Sequence, residues 1–256
     1  MITSMILGVF LMVLLLIAPL VAMIVYDIPM QRQMFLALVR MILRLAIIGG
    51  AIHLLLTVDS VWLDMFFIVL FIGYSVLFVA MKSGLGLRIY GLPIASGMAV
   101  ASLIVGLCIA YTIMSEGASF ATRYAVPMVA IMTGGIVVPM SKSLVAYYKG
   151  LLNHNRLYFY MLGNGATSGE ALAYLGRRAM QSALIPGIKN MTGMAVGVVP
   201  VAMWTMVACG VDALSAVMLQ LLIVLGVYAA SVLAVFVAIA VARRYVVDGY
   251  GRIVKS

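Results

Sequence analysis

The chain has 256 residues, of which 66% are hydrophobic and only 9% charged, whereas a soluble domain carries roughly 25% charged residues. That shortage excludes an ordinary globular core and fits a chain whose solvent is lipid. The net charge of +9 reads as the cytoplasmic cation excess of a membrane protein and not as a nucleic-acid surface.

A membrane-spanning helix needs about 20 mostly apolar residues. Seven stretches qualify, at about 3–26, 34–56, 61–81, 91–114, 124–147, 189–209 and 213–242. The expected fold is therefore an all-α integral membrane protein with about seven transmembrane helices, forming a single domain over residues 1–256. Met1 to Val25 contains no Lys or Arg, so it lacks the charged start of a signal peptide and reads as a retained first helix.

Arg40 and Arg44 stand four apart in the second stretch and share one helix face. They are read either as an anion-attracting or gating pair facing a cavity, or as interfacial residues of a helix that enters the membrane later. His53 and Asp64 fall near the outer ends of helices 2 and 3, without an ionisable relay. Cys108 and Cys209 lie in apolar runs without metal-ligand or C-x-x-C spacing, so small buried thiols are expected. Met128, Met132 and Met140 recur along helix 5, and Met191, Met194, Met203 and Met206 along helix 6. Thioethers favour soft metals, but no Met pair is closed by a His or Cys, so packing is the favoured role. No metal site is assigned.

The substantial segment outside the membrane runs from about 148 to 189. Tyr148 to Leu162 can continue helix 5 beyond the membrane. Gly163-Asn164-Gly165-Ala166-Thr167-Ser168-Gly169 is a turn sequence, and Thr167 and Glu170 have capping-box spacing. A helix is expected from there through Ala171, Leu175, Arg177 and Arg178, with Pro186 ending it or bending it into helix 6. The glycines do not make a phosphate loop, because no Lys follows them. A helical hairpin of this kind either docks into another protein's groove or merely connects two spans. In helix 6, Gly193 and Gly197 form a G-x-x-x-G pattern and Pro200 follows.

Segments 27–44, 82–90, 142–189 and 243–256 hold 15 of the 16 Lys and Arg residues. That asymmetry places them in the cytoplasm, with the N-terminus outside, the C-terminus inside and the hairpin between helices 5 and 6 cytoplasmic. The sequence has almost no acid or His deep in the membrane to carry a proton and no nucleotide-binding motif. A pump built this way borrows its energy from a separate ATPase. A self-contained channel or secondary carrier is the alternative. An enzyme is not expected, because His53 and His154 fall on opposite sides and no paired acids or nucleophile–base set is visible.

Gly165-Ala166-Thr167, Glu170-Ala171, Arg177, Ala183-Leu184-Ile185-Pro186, Pro200, Gly210-Val211-Asp212, Ala216 and Gln220 follow one another in the order and spacing of the FetB-type permeases. Arg40, Val58-Asp59, Pro127 and Gly134 match more weakly. The chain thus resembles this family of iron-export ABC permeases, related to plant aluminium-tolerance permeases, as a divergent member. The resemblance implies a non-catalytic permease of the bacterial inner membrane that exports an iron-like metal ion or a small metabolite. It also implies a cytoplasmic ABC ATPase partner that carries ATP and Mg, and a second copy of the permease. Gly163, Gly165, Ala166, Thr167, Glu170, Ala171 and Arg177 would then form the coupling element, with no cofactor in this chain. Departures from the family pattern occur at Ala130–Gly135, at Pro200–Thr205 and at Ala213, where a path would run. Arg40, Arg44, Pro127, Met132, Gly134, Pro200 and Met203 are the candidate pathway residues.

Overall fold

A computed structural model of the chain describes residues 7–8, 11, 14–114, 121–153, 155–192 and 198–246. All regular structure among them is helical. The elements are α1 (Ile17–Val25), α2 (Gln31–Val58), α3 (Val61–Ser83), α4 (Leu87–Thr112), a π-helical turn (Ala121–Ala125) leading into α5 (Val126–Asn153), α6 (Asn155–Gly163), α7 (Ser168–Thr192), α8 (Val198–Ala208) and α9 (Ala213–Val246). Among the described residues, five helical stretches are long and apolar enough to cross a membrane. They are Gln31–Val58, Val61–Ser83, Ile89–Thr112, Thr122–Leu151 and Ala213–Tyr245.

The other two expected spans are described only in part. α1 covers nine residues of the first, and part of that stretch lies outside the described residues. Over the expected span 189–209, α7 runs unbroken through Pro186 to Thr192. α8 covers a further 11 of its residues, Val198–Ala208. Gly193 and Gly197 lie outside the described residues.

The chain divides into two compact units, 1–58 and 59–256. In the first, α1 ends at a turn in which the Ile28 amide donates to the Met23 carbonyl at 2.9 Å and Asp27 takes a φ of 50°. α2 follows and exposes apolar side chains such as Phe35, Ile42 and Ile47.

In the second unit, α3, α4, α7 and α9 all pack on α5, and α4 and α9 make the most extensive pairing. Its core includes Val79, Ile94, Met98, Met132, Ile136, Met140 and Leu144. Lipid is as apolar as these side chains, so close packing holds such helices together more than the hydrophobic effect does. The α4–α9 seam is accordingly built from small residues. Ala101, Ala230, Ala234 and Ala238 are fully buried, and Gly97 sits directly against the Ala234 carbonyl. Buried hydroxyls fold back on their own helices, as in Ser102 to the Met98 carbonyl and Thr133 to the Val129 carbonyl, both 2.6 Å. That arrangement leaves no hydroxyl of these two unsatisfied in an apolar interior.

The surface stays apolar. Trp62, Phe66, Val69, Ile104 and Phe236 are all exposed. Cys108 of α4 and Cys209 in the turn after α8, expected to be buried, are free and exposed, as apolar surface residues of a chain solvated by lipid can be.

α4 and α9 run antiparallel, since Gly97 meets Ala234 and Gly226 meets Ile109. Their directions put Asp64, Thr122 and Asp212 toward one end of the unit and Lys82, Lys149, Arg177 and Arg243 toward the other. Trp62 and Trp204 lie near the acidic end and are 83% and 73% exposed, where an interfacial aromatic belt would place them.

Candidate functional site

The basic end carries the hairpin. α6 closes in a Schellman turn, with the Gly165 amide donating to Leu162 O at 3.0 Å and the Ala166 amide to Met161 O at 3.1 Å. Gly165 has a φ of +84°, a left-handed conformation that glycine adopts without a Cβ penalty. α7 then opens on a reciprocal capping box. The Thr167 amide donates to Glu170 Oε2 at 2.8 Å, the Thr167 hydroxyl donates to the same oxygen at 2.9 Å, and the Glu170 amide donates back to Thr167 Oγ1 at 3.3 Å. The hydrogen bonds from Thr167, chiefly that of its backbone amide, hold the Glu170 carboxyl below the usual carboxylate range. Local chemistry therefore defines the tip Gly163–Glu170.

α7 is amphipathic. Ala171, Leu172, Leu175, Ala179 and Ala183 are buried at helical spacing, and Arg177, Arg178 and Gln181 are exposed on the other face. The buried face lies against α5 and α9. The Ser143 hydroxyl of α5 donates to the Ala179 carbonyl at 2.6 Å. On α9, Arg243 Nη2 comes within 3.0 Å of where a Cβ on Gly176 would stand, and Gly187 receives the Tyr228 ring. The expected coupling residues Gly163, Gly165, Ala166, Thr167, Glu170, Ala171 and Arg177 are thus gathered on one hairpin. The segment around 176–189, part of the stretch expected to lie outside the membrane, packs along two spanning helices.

Within the second unit, the candidate pathway residues Met132, Pro127, Gly134 and Met203 stand in different settings. Met132 is fully buried, with its thioether against Gly226, and Met128 and Met140 are buried as well. Packing is what all three do here. Pro127 and Gly134 lie with Ile131 and Val138 on an exposed face of α5, and nothing stands within 4 Å of a Cβ built on Gly134. Met203 is half-buried on α8, which also contains Pro200. Arg40 and Arg44 belong to α2 of the other unit and are exposed.

Two groupings had no counterpart in the sequence reading. Asp64, 2% exposed, and Asp59 both point at the Thr122 hydroxyl. The signal available was an acid in the first turn of an apolar helix, but its partner lies 58 residues away. At the basic end, Tyr90, Tyr147 and Tyr158 are buried, and the hydroxyls of Tyr90 and Tyr158 lack a hydrogen-bond partner among the described residues. Tyr148 meets the Tyr90 ring edge-on at 5.5 Å, and Arg243 stands beside Tyr147. Of these aromatic residues, Tyr148 and Tyr158 were read only as part of an extension of helix 5.

Comparison with known proteins places this architecture. The rice (Oryza sativa subsp. japonica) protein described as UPF0014 membrane protein STAR2 is 25% identical over 205 residues, covering 76% of this chain and 67% of the rice protein. The Escherichia coli (strain K12) protein described as probable iron export permease protein FetB is 21% identical over 194 residues, covering 76% of this chain and 73% of its own length. No solved structure matches. The profile of the uncharacterised protein family UPF0014 matches residues 6–247. With apolar helices of spanning length and these relatives, the chain is a multi-pass membrane protein that belongs to the UPF0014 family.

Proposed function

We propose that the chain is the membrane-spanning permease subunit of an ABC transporter, driven by a separate cytoplasmic ATPase that carries the ATP and Mg. The observation that carries the reading is the α6–α7 hairpin. A capped, conformationally defined tip joins a helix whose buried face grips α5 and α9 and whose Arg177 face is exposed. A push at the tip would then reach two spanning helices through packed small residues. Gly163, Gly165, Ala166, Thr167, Glu170, Ala171 and Arg177 form the ATPase-docking element in this reading. FetB's name describes an iron export permease, which supports a metal ion such as iron, or a small metabolite, as cargo exported by this chain.

The same reading puts the basic end in the cytoplasm of a bacterium, with the protein in the inner membrane, the N-terminus outside and seven crossings in total. A second copy completes the path, and the exposed α5 face bearing Pro127 and Gly134 is the surface on which path or partner would form. Arg40, Arg44, Met132, Pro200 and Met203 are its other candidate residues.

The test is reconstitution of the chain with its ATPase in liposomes, followed by scrambling of residues 163–170. Coupled transport should disappear while the permease stays folded. Coupled transport that survives the scramble ends the reading, and transport by the chain alone without ATP makes it a self-contained carrier.

A further inference from the structure

We propose that the groove between α7 and α9 is a binding site for an anionic phospholipid, with an acyl chain lying in the groove and the phosphate held at its mouth by Arg177 and Arg243. The groove has a volume of about 460 Å³, and its lining includes Met180 and Leu184 of α7 and Tyr228, Val232 and Phe236 of α9. Two close crossings bracket it. Gly176 meets Ile239 and Arg243 at one end, and Gly187 meets Tyr228 at the other. Glycine has no side chain to hold two helices apart, and Met180 and Leu184 lie between these crossings, along about 16 Å of helix. Met180, Leu184, Tyr228 and Val232 are half-buried and Phe236 is 62% exposed, so the groove is open along its side. In a chain whose solvent is lipid, hydrocarbon fills such an apolar channel, because water finds no hydrogen-bond partners there.

Charge decides which lipid. Arg177, Met180 and Leu184 stand at i, i+3 and i+7, and Val232, Phe236 and Arg243 at i, i+4 and i+11, so each arginine continues the lining face of its helix. Both arginines are exposed. Arg243 Nη2 lies 3.0 Å from where a Cβ on Gly176 would stand, and Arg177 is the next residue along the chain. α9 has 34 residues, a rise of about 51 Å. It begins near the exposed Trp204, crosses a hydrocarbon core of about 30 Å and delivers Arg243 to the opposite headgroup layer.

Among the described residues of this unit, Glu170 is the acid at that end, and its carboxylate accepts from Thr167. Lys82, Lys149, Arg178 and Arg244 add to the positive field. The guanidinium fork matches a phosphate, and basic pockets between spanning helices hold anionic headgroups. A zwitterionic headgroup offers the same phosphate but carries its own cation, which this field repels.

The inference needs no ATPase and stands apart from the permease reading. Its test is native mass spectrometry of the purified full chain in detergent, given phosphatidylglycerol or phosphatidylcholine with the same palmitoyl and oleoyl chains. Wild type should retain a phosphatidylglycerol with a preference of at least about tenfold over phosphatidylcholine, as two basic side chains at a headgroup provide. Arg177→Gln and Arg243→Gln should each lower that retention roughly fivefold. Lys82→Gln, at the same end on α3, should not change it. Ala229→Trp, which fills the groove, should lower retention of both lipids. If Arg243→Gln does not give folded protein, Arg177→Gln decides alone. Millimolar inorganic phosphate should leave the lipid in place, and displacement by it would make this a site for a free anion and overturn the proposal. Equal retention of the two lipids, retention unchanged in Arg177→Gln or Ala229→Trp, or a second copy of the chain in place of lipid would also overturn it.

Discussion

The hydroxyl of Ser143 on α5 donates to the carbonyl of Ala179 on α7 at 2.6 Å, and both residues are fully buried. The Ser102 and Thr133 hydroxyls bond back to their own helices, whereas this bond is a tie between elements. It fixes α7 along α5 at a level where α7 has only small side chains facing inward. Ser143→Ala should lower stability by about 1 kcal/mol, the usual net worth of one hydrogen bond. For a chain of this size that is a drop of about 2–4 °C in melting temperature, measured by intrinsic fluorescence in detergent. An unchanged melting temperature would mean that α7 is held by packing alone.

The capping box gives the hairpin a pH dependence of known sign. Because Glu170 is held below its ordinary carboxylate value of 4.5, the folded hairpin favours the ionised form. Its contribution is fully present above that value and is lost as pH falls through the depressed one. Amide hydrogen exchange at Glu170 and Ala171 should stay slow from neutral pH down to the ordinary carboxylate range, then quicken below it beyond the intrinsic rate. Thr167→Ala should speed exchange at the start of α7 by roughly fivefold already at neutral pH, the equivalent of the ~1 kcal/mol an N-cap hydroxyl contributes. The variant keeps the residue-167 amide that donates to Glu170, so it should retain an acid step, smaller than that of wild type.

What the sequence disclosed and what it hid divide along the same physical line. The Thr167–Glu170 box and the Gly165 turn were legible because each is a contact within a few residues, encoded in spacing. The apolar spans from α2 to α5 and α9 were legible because lipid demands length and composition. The course of α7 through Pro186 was not. Its place is set by Gly176, Ala179, Ala183 and Gly187 meeting α5 and α9, and a proline is tolerated in a helix whose neighbours shield the freed backbone. Asp64 was visible as an acid in an apolar helix, but Thr122 became its partner only through the pairing of α3 with the start of α5.

Two glycines make a matched test of the bundle. A Cβ on Gly97 would strike the backbone carbonyl of Ala234, with Ala238 and Met140 also at 3.0 Å. Backbone cannot swing aside as a flexible side chain can. Gly97→Ala should therefore force α4 away from α9 and cost about 1–3 kcal/mol, the range for overpacking, seen as a lower melting temperature. Gly134 has nothing within 4 Å, and Gly134→Ala should be neutral or gain up to about 1 kcal/mol from helix propensity. A Gly134→Ala protein that is stable yet loses transport would place that α5 face on the path or against a second copy.

Orientation is the premise on which docking of an ATPase depends, and cysteine accessibility decides it. Cys108 and Cys209 are both exposed and would react, so each is first replaced by Ser. Val211, exposed in the turn before α9, marks the acidic end, and Asn155, at the start of α6, marks the basic end. Lys and Arg resist translocation and collect on the cytoplasmic side, so the end carrying Lys149, Arg177 and Arg243 should face inward. A membrane-impermeant maleimide should then label Val211→Cys in intact cells and Asn155→Cys only after permeabilisation. The reverse pattern would put the hairpin beyond the reach of any cytoplasmic ATPase, because an element on the outer face cannot receive a push generated by ATP hydrolysis inside.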